Sequence, residues 1–155
     1  MLASPFDVQP VIARIATLVP APTLRQVQGA AAYASVQQLA NFAPPCAYVI
    51  LAREKARPHP AGNGMPNVQQ RMVQQVDVTF GVMVAVQNFR EQLGAQSQDS
   101  LLSVLGAVRG ALLGWVPPGA SQPISLQQGN LLQYDAGRSL WADVFQTNHV
   151  IGVDP

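Results

Sequence analysis

Val76-Asp77-Val78-Thr79-Phe80-Gly81-Val82-Met83-Val84-Ala85-Val86-Gln87 is the stretch that decides the fold. Its even positions are all valine or phenylalanine. Alternate side chains of an extended chain leave opposite faces, so this pattern predicts a strand with one fully apolar face. The second face carries Asp77, Thr79, Gly81, Met83, Ala85 and Gln87. Asp77 therefore points away from the core, where it can pair with an arginine. A general-base role would need a partner that the sequence does not show. Gln69 to Gln75 can extend the strand towards the N-terminus.

Upstream, Cys46 to Ala52 is apolar at both parities, the pattern of a central strand covered on both faces. Between the two strands lies a polar stretch, Arg53 to Asn67, with three prolines and two glycines. It reads as a long mobile loop at about 53–68, and loops of this length are uncommon unless functional or disordered. The strands on either side would then form a hairpin arm projecting beyond the sheet. Arg53, Glu54, Lys55, Arg57 and His59 in the loop, with Gln69 and Arg71 on its flank, are the candidate interface residues. They would engage a neighbouring subunit; a solvated loop tip is the plainer alternative. Gly62-Asn63-Gly64 is a turn signal within it.

Further out, Phe6, Val11, Ile12, Ile15, Leu18 and Val19 follow helical spacing over residues 5–19. Ser4 reads as the N-cap, Pro5 as the first helical residue and Asp7 as the capping-box acid, while Pro20 and Pro22 end the helix. Leu24 to Gln28 is a short strand candidate, and Gly29 to Asn41 a short Ala-rich helix. A second main helix is expected over residues 99–113, capped by Ser97 or Asp99. Its stripe is Leu101, Leu105, Val108 and Leu112, and Gly114 is its stop. Leu131 to Tyr134, the turn at Asp135 to Arg138, and Leu140 to Val150 read as a closing hairpin. The order predicts a single α+β domain over 1–155, with a mixed, mainly antiparallel sheet and two main helices on one face.

The chain has 155 residues, with 9 basic and 8 acidic side chains and a single cysteine. A chain this long buries roughly 70% of its unfolded surface and needs no disulfide or metal staple. Near-neutral charge without a basic run argues against sequence-specific nucleic-acid binding. No apolar stretch is long enough to span a bilayer, so no membrane partner is expected. No signal peptide is visible, so synthesis in the cytoplasm is expected. Only 11% of residues are charged, against about 25–35% on a typical solvated surface. Eighteen glutamines take their place. Such a surface is easily desolvated and suits burial against other subunits; a compositional bias of the genome would give the same numbers.

The search for chemistry returns little. There is no phosphate loop, no paired metal-ligand spacing and no nucleophile with a base. His59 and His149 read as surface histidines, Cys46 as a small core hydrophobe, and Trp115 and Trp141 as core residues or interface anchors. Neither an enzyme nor a bound cofactor is expected.

Two segments resemble a known family, the tail terminator (tail completion) proteins of long-tailed bacteriophages. One is Ala107-Val108-Arg109-Gly110-Ala111-Leu112-Leu113-Gly114-Trp115-Val116-Pro117, followed by Gly129 to Leu132. The other is Leu140-Trp141-Ala142-Asp143-Val144-Phe145-Gln146-Thr147. The N-terminal half is similar in layout, through Val27-Gln28-Gly29-Ala30-Ala31 and Pro45-Cys46-Ala47-Tyr48-Val49-Ile50. The resemblance implies a homo-oligomeric ring, usually a hexamer, located in the virion at the tail-neck junction. Such a ring ends the tail tube, stops its polymerisation and joins the head. It also implies a tail tube protein and a head-completion or connector protein as partners. Another neck or tail component (a head-closure or tail-tube subunit) is the neighbouring alternative, and a small ligand-binding domain the remote one. The two helical patterns speak against a tube subunit.

Overall fold

The computed structural model describes residues 3–18, 24–35, 44–59, 67–87, 94–135 and 137–154. The elements run α1 (Gln9–Ala16), β1 (Gln26–Gly29), α2 (Ala30–Ser35), β2 (Cys46–Ala56), β3 (Met72–Gln87), α3 (Gly94–Leu112), β4 (Ser125–Asp135) and β5 (Arg138–Val153). They build one five-stranded sheet in the order β1-β2-β3-β5-β4. The β1–β2 pair is parallel, and the β2–β3, β3–β5 and β4–β5 pairs are antiparallel. This is the mixed, mainly antiparallel α+β sheet that the sequence predicts.

The valine stretch lies at the centre because it is apolar on one face and small or polar on the other. Val78, Phe80, Val82, Val84 and Val86 join Val11 and Ile15 of α1 and Val104, Leu105, Val108 and Leu112 of α3 in the main core. Phe80 stacks on Phe145 of β5, its register partner, at 5.5 Å between ring centroids. Among the described residues the opposite face is covered at one end. There Cys46, Tyr48, Ala85 and Leu140 are buried, with Ala32 and Tyr33 of α2 packed against them. The mixed parity of Cys46–Val49 thus has its physical cause: Ala47 and Val49 face the main helices, and Cys46 and Tyr48 face α2. Burial pushes the Tyr48 phenol above its ordinary pKa, with the nearby Cys46 adding to the rise.

Several boundaries differ from the expectation. α1 begins at Gln9, with Pro10 in its first turn, and ends at Ala16. Ser4 and Pro5 lie before it, and Asp7 accepts the Gln9 N–H at 2.9 Å. Phe6 is nonetheless buried, so its apolar spacing reflects burial rather than helix. The expected helix-ending Pro20 and Pro22 lie outside the described residues, as does the C-terminal part of the Ala-rich segment. α3 starts at Gly94, placing Ser97 and Asp99 inside the helix and not at its cap. Its stop is as expected: Gly114 has φ 80°, a conformation that glycine adopts without penalty.

Candidate functional site

The largest departure from the sequence reading lies in the arm. β2 runs on past the apolar core to Ala56, and β3 begins at Met72, so Arg53, Glu54 and Lys55 are strand residues opposite Thr79, Val78 and Asp77. The register shifts between Leu51 and Arg53, so Ala52 is a bulge. Periodicity could not find this extension, because the Ala52 bulge breaks the alternation and the inward position beyond it is the charged Glu54, between exposed Arg53 and Lys55. The loop therefore starts later than 53, and its tip, with Gly62-Asn63-Gly64, falls outside the described residues.

The seven candidate residues have three different roles. Arg57 grips Asp77, donating from Nε to Oδ2 at 3.3 Å and from Nη2 to Oδ1 at 3.0 Å. It also donates to the Gln75 amide oxygen at 3.2 Å. The expectation that Asp77 meets an arginine is met here. Arg71 lies 3.6 Å from Asp154, both well exposed, a weak rim pair. Glu54 is turned inward. Its Oε1 accepts the Phe6 N–H at 2.6 Å and lies 3.0 Å from His149 Nε2, while the Phe6 ring meets the His149 ring edge-on at 5.5 Å. Glu54 is thus an internal strut that ties the N-terminal segment, the arm base and β5 together. His149 is correspondingly buried at 6% exposure, not a surface histidine. Arg53, Lys55, His59 and Gln69 are solvent-exposed.

Between the arm and β4 a polar cleft is lined by Arg57, Asp77, Gln122, Ser125, Gln146 and Asn148. Among the described residues no group of three or more His, Cys, Asp or Glu side chains is placed to hold a metal ion.

A second cluster was not singled out by sequence. On β5, Asp143 is completely buried and takes two hydrogen bonds from Arg109 of α3, Nε to Oδ2 and Nη2 to Oδ1, each at 2.7 Å. Its Oδ1 also accepts from Trp141 Nε1 at 2.8 Å. Asp143 holds the Arg109 pKa above its ordinary value, the hydrogen bond being the leading cause. Gly129 of β4 lies opposite Asp143 in the register. A Cβ there would come within 2.8 Å of both Asp143 Oδ1 and Trp141 Cζ2, and 3.0 Å of Arg109 Nη2. The signal was present: Asp143 shares its strand parity with Trp141 and Phe145, so it had to face the core and needed a cation. Both tryptophans are half-buried against the main core. Arg14 of α1 lies over the Trp115 ring at 4.9 Å and donates to the Ala111 carbonyl at the end of α3. One side chain there satisfies a helix terminus and makes a cation–π contact.

β4 forms an edge of the sheet. Ser125 to Tyr134 contains no Asp, Glu, Lys or Arg, and Leu131, Leu132 and Tyr134 are each at least half exposed. Sequence reading placed only the end of this strand. An uncharged exposed edge of this length is what solitary proteins avoid and interaction proteins keep.

Across residues 1–155 the chain matches the family described as Phage tail terminator protein. Among solved structures, a chain of "Virion of native gene transfer agent (GTA) particle" is similar, with TM-score 0.51 and 15% sequence identity. The alignment covers 90% of this chain and 91% of that chain. At that identity the likeness shows a shared fold. No curated protein matches by sequence.

Proposed function

The chain belongs to the phage tail terminator family, and is thereby a structural component of a phage tail; from that premise we propose that it closes the tail tube as a ring. In this reading copies of the chain, six in the usual form of the family, assemble on the tube end, arrest tube polymerisation and present the surface that joins the head. The observation that carries the proposal is the family match over the full chain. The similar fold in a gene transfer agent virion supports it. So do the uncharged edge of β4 and the arm, which projects beyond the region covered by helices. The exposed arm side chains Arg53, Lys55, His59 and Gln69 are assigned to the neighbouring subunit or to the tube, together with Arg57 and Arg71. Glu54 acts indirectly by fixing the base of the arm.

The test is arrest of tube growth. Purified chain is added to polymerising tube subunits of its own phage, and tube lengths are measured by negative-stain microscopy. Shortened tubes carrying the chain at one end are expected. Unchanged length distributions, with no chain at either end, would exclude the proposal. Reversing the exposed charges of the arm, Arg53→Glu with Lys55→Glu, should weaken end-binding while leaving the monomer folded. Wild-type end-binding by that variant would remove the arm from the interface.

A further inference from the structure

Between Ala3 and Asp7, ahead of α1, Phe6 is the one buried residue; Ala3, Ser4, Pro5 and Asp7 are exposed. Two contacts of Phe6 are made at the base of the arm. Its N–H donates to Glu54 Oε1 at 2.6 Å, and its ring lies edge-on to the His149 ring at 5.5 Å. His149 Nε2 lies 3.0 Å from the same oxygen. An ionised carboxylate only accepts, so the imidazole carries its proton on Nε2. One oxygen thus joins the N-terminal segment, β2 and β5. Glu54 stands two residues beyond the Ala52 bulge, opposite Val78, and a bulge bends its strand and interrupts the ladder. Past the bulge, β2 follows β3 as far as Ala56 opposite Val76, where the Arg57 N–H donates to the Gln75 carbonyl at 2.8 Å.

Resting on the reading of the arm as an interface, we propose that the N-terminal segment is a releasable strap that sets the arm for its partner. Docked, the strap holds the Glu54 carboxylate inward. Arg53 and Lys55, its strand neighbours, then leave the opposite face as exposed cations, and the β2 side of the arm is fixed beyond its bulge. Released, the strap takes away the Phe6 N–H, opens the Glu54 carboxylate further to water, and leaves the arm to bend at Ala52. Magnitudes make release accessible. Burying one phenyl ring stabilises by an amount of the same order as the cost of ordering the few backbone residues that carry it. A segment balanced in this way opens locally long before the sheet does. The docked and released states then lie close enough for a partner to select between them. Such coupling is reciprocal: a partner that immobilises the arm tightens the strap by the same factor by which the docked strap favours that partner.

Amide hydrogen exchange on the full-length chain tests the coupling, by NMR in the free chain and by quenched exchange with mass spectrometry on tube ends. The Arg57 amide reports the arm, the Phe6 amide the strap, and the amides of Val82 and Val84 in the central strand the global fold. Phe6→Ala should speed Arg57 exchange about tenfold, a usual size for coupling between sites, and change Val82 and Val84 far less. Glu54→Ala, which removes no apolar core side chain, should speed the Phe6 and Arg57 amides together. Seating the wild-type chain on tube ends should slow the Phe6 amide. Equal loss of protection at Arg57, Val82 and Val84 in Phe6→Ala would make Phe6 an ordinary core residue and overturn the strap. Wild-type Arg57 protection in both variants would also overturn it and leave the ring reading standing. A Phe6 amide that exchanges equally fast in the free and seated chain would overturn the link to the partner. A chain that shows the Arg57 effect but neither assembles nor binds tube ends would overturn the ring reading and uphold the coupling of strap to arm.

Discussion

Among the described residues two arginine–aspartate pairs are held by two hydrogen bonds each, in opposite surroundings. Arg109 and Asp143 meet at 2.7 Å on both oxygens, with the carboxylate fully buried and Trp141 as a third partner. Arg57 and Asp77 meet at 3.0 and 3.3 Å, with half of the arginine side chain in solvent. The first pins α3 to β5 and β4 and cannot be opened without stranding a charge. The second braces the arm, can exchange its partner for water, and is screened by salt. One end of the sheet is locked, and the arm end is free to adjust to what it meets.

The sharpest way to break the locked pair is Arg109→Met, which leaves a buried carboxylate with only the Trp141 N–H. Its expected cost is about 4 kcal/mol, read from urea unfolding midpoints. Adding Asp143→Leu should recover most of that loss, because no charge is then stranded; what remains is the unpartnered Trp141 N–H. Gly129→Ala comes next at about 2 kcal/mol, since the Cβ would push into three side chains that hold one another in place. A cost near zero for that variant would mean the cluster is looser than its 2.7 Å bonds imply. Arg57→Ala should cost less than about 1 kcal/mol, and the loss should shrink further in 1 M salt. If Arg57→Ala proved as costly as Arg109→Met, burial would not be what separates the two pairs.

The smallest effect concerns pH. The Arg109 and Tyr48 pKa values are both raised in the folded chain. A raised value gives stability that is complete below the unfolded pKa and lost as pH climbs through the folded one. For Tyr48 that loss begins near pH ~10; for Arg109 it begins only beyond the alkaline range in which unfolding is measured. Stability should therefore sag above pH ~10, and Tyr48→Phe should flatten the sag while Arg109 keeps its charge throughout. A wild-type sag left unchanged by Tyr48→Phe would place the alkaline sensitivity elsewhere.

The same contrast governs what could be read from the sequence. Where one face is buried, periodicity speaks: the even-numbered residues from Val76 to Val86 gave β3, and Leu105, Val108 and Leu112 gave the buried stripe of α3. At the arm base no large apolar residue of β2 marks the inward face, so Arg53 to Ala56 read as loop although they continue β2. β4 was placed only from Leu131 because Ser125 to Asn130 is mostly polar and exposed at the sheet edge. The candidate residues were found by composition, which marks the arm but cannot separate Glu54, turned inward to Phe6 and His149, from exposed Lys55. His149 itself was misplaced because burial of a histidine depends on partners distant in sequence, here Glu54 and Phe6.

The proposed role is that of a closed ring on a tube end. It is met most directly by mass in solution across a concentration series, measured by light scattering after size exclusion. Negative-stain images are taken of any large species, with and without tail tubes. A hexameric ring with a central hole is expected, either free at high concentration or seated on tube ends. A monomer at every concentration that also leaves tube ends bare would contradict it.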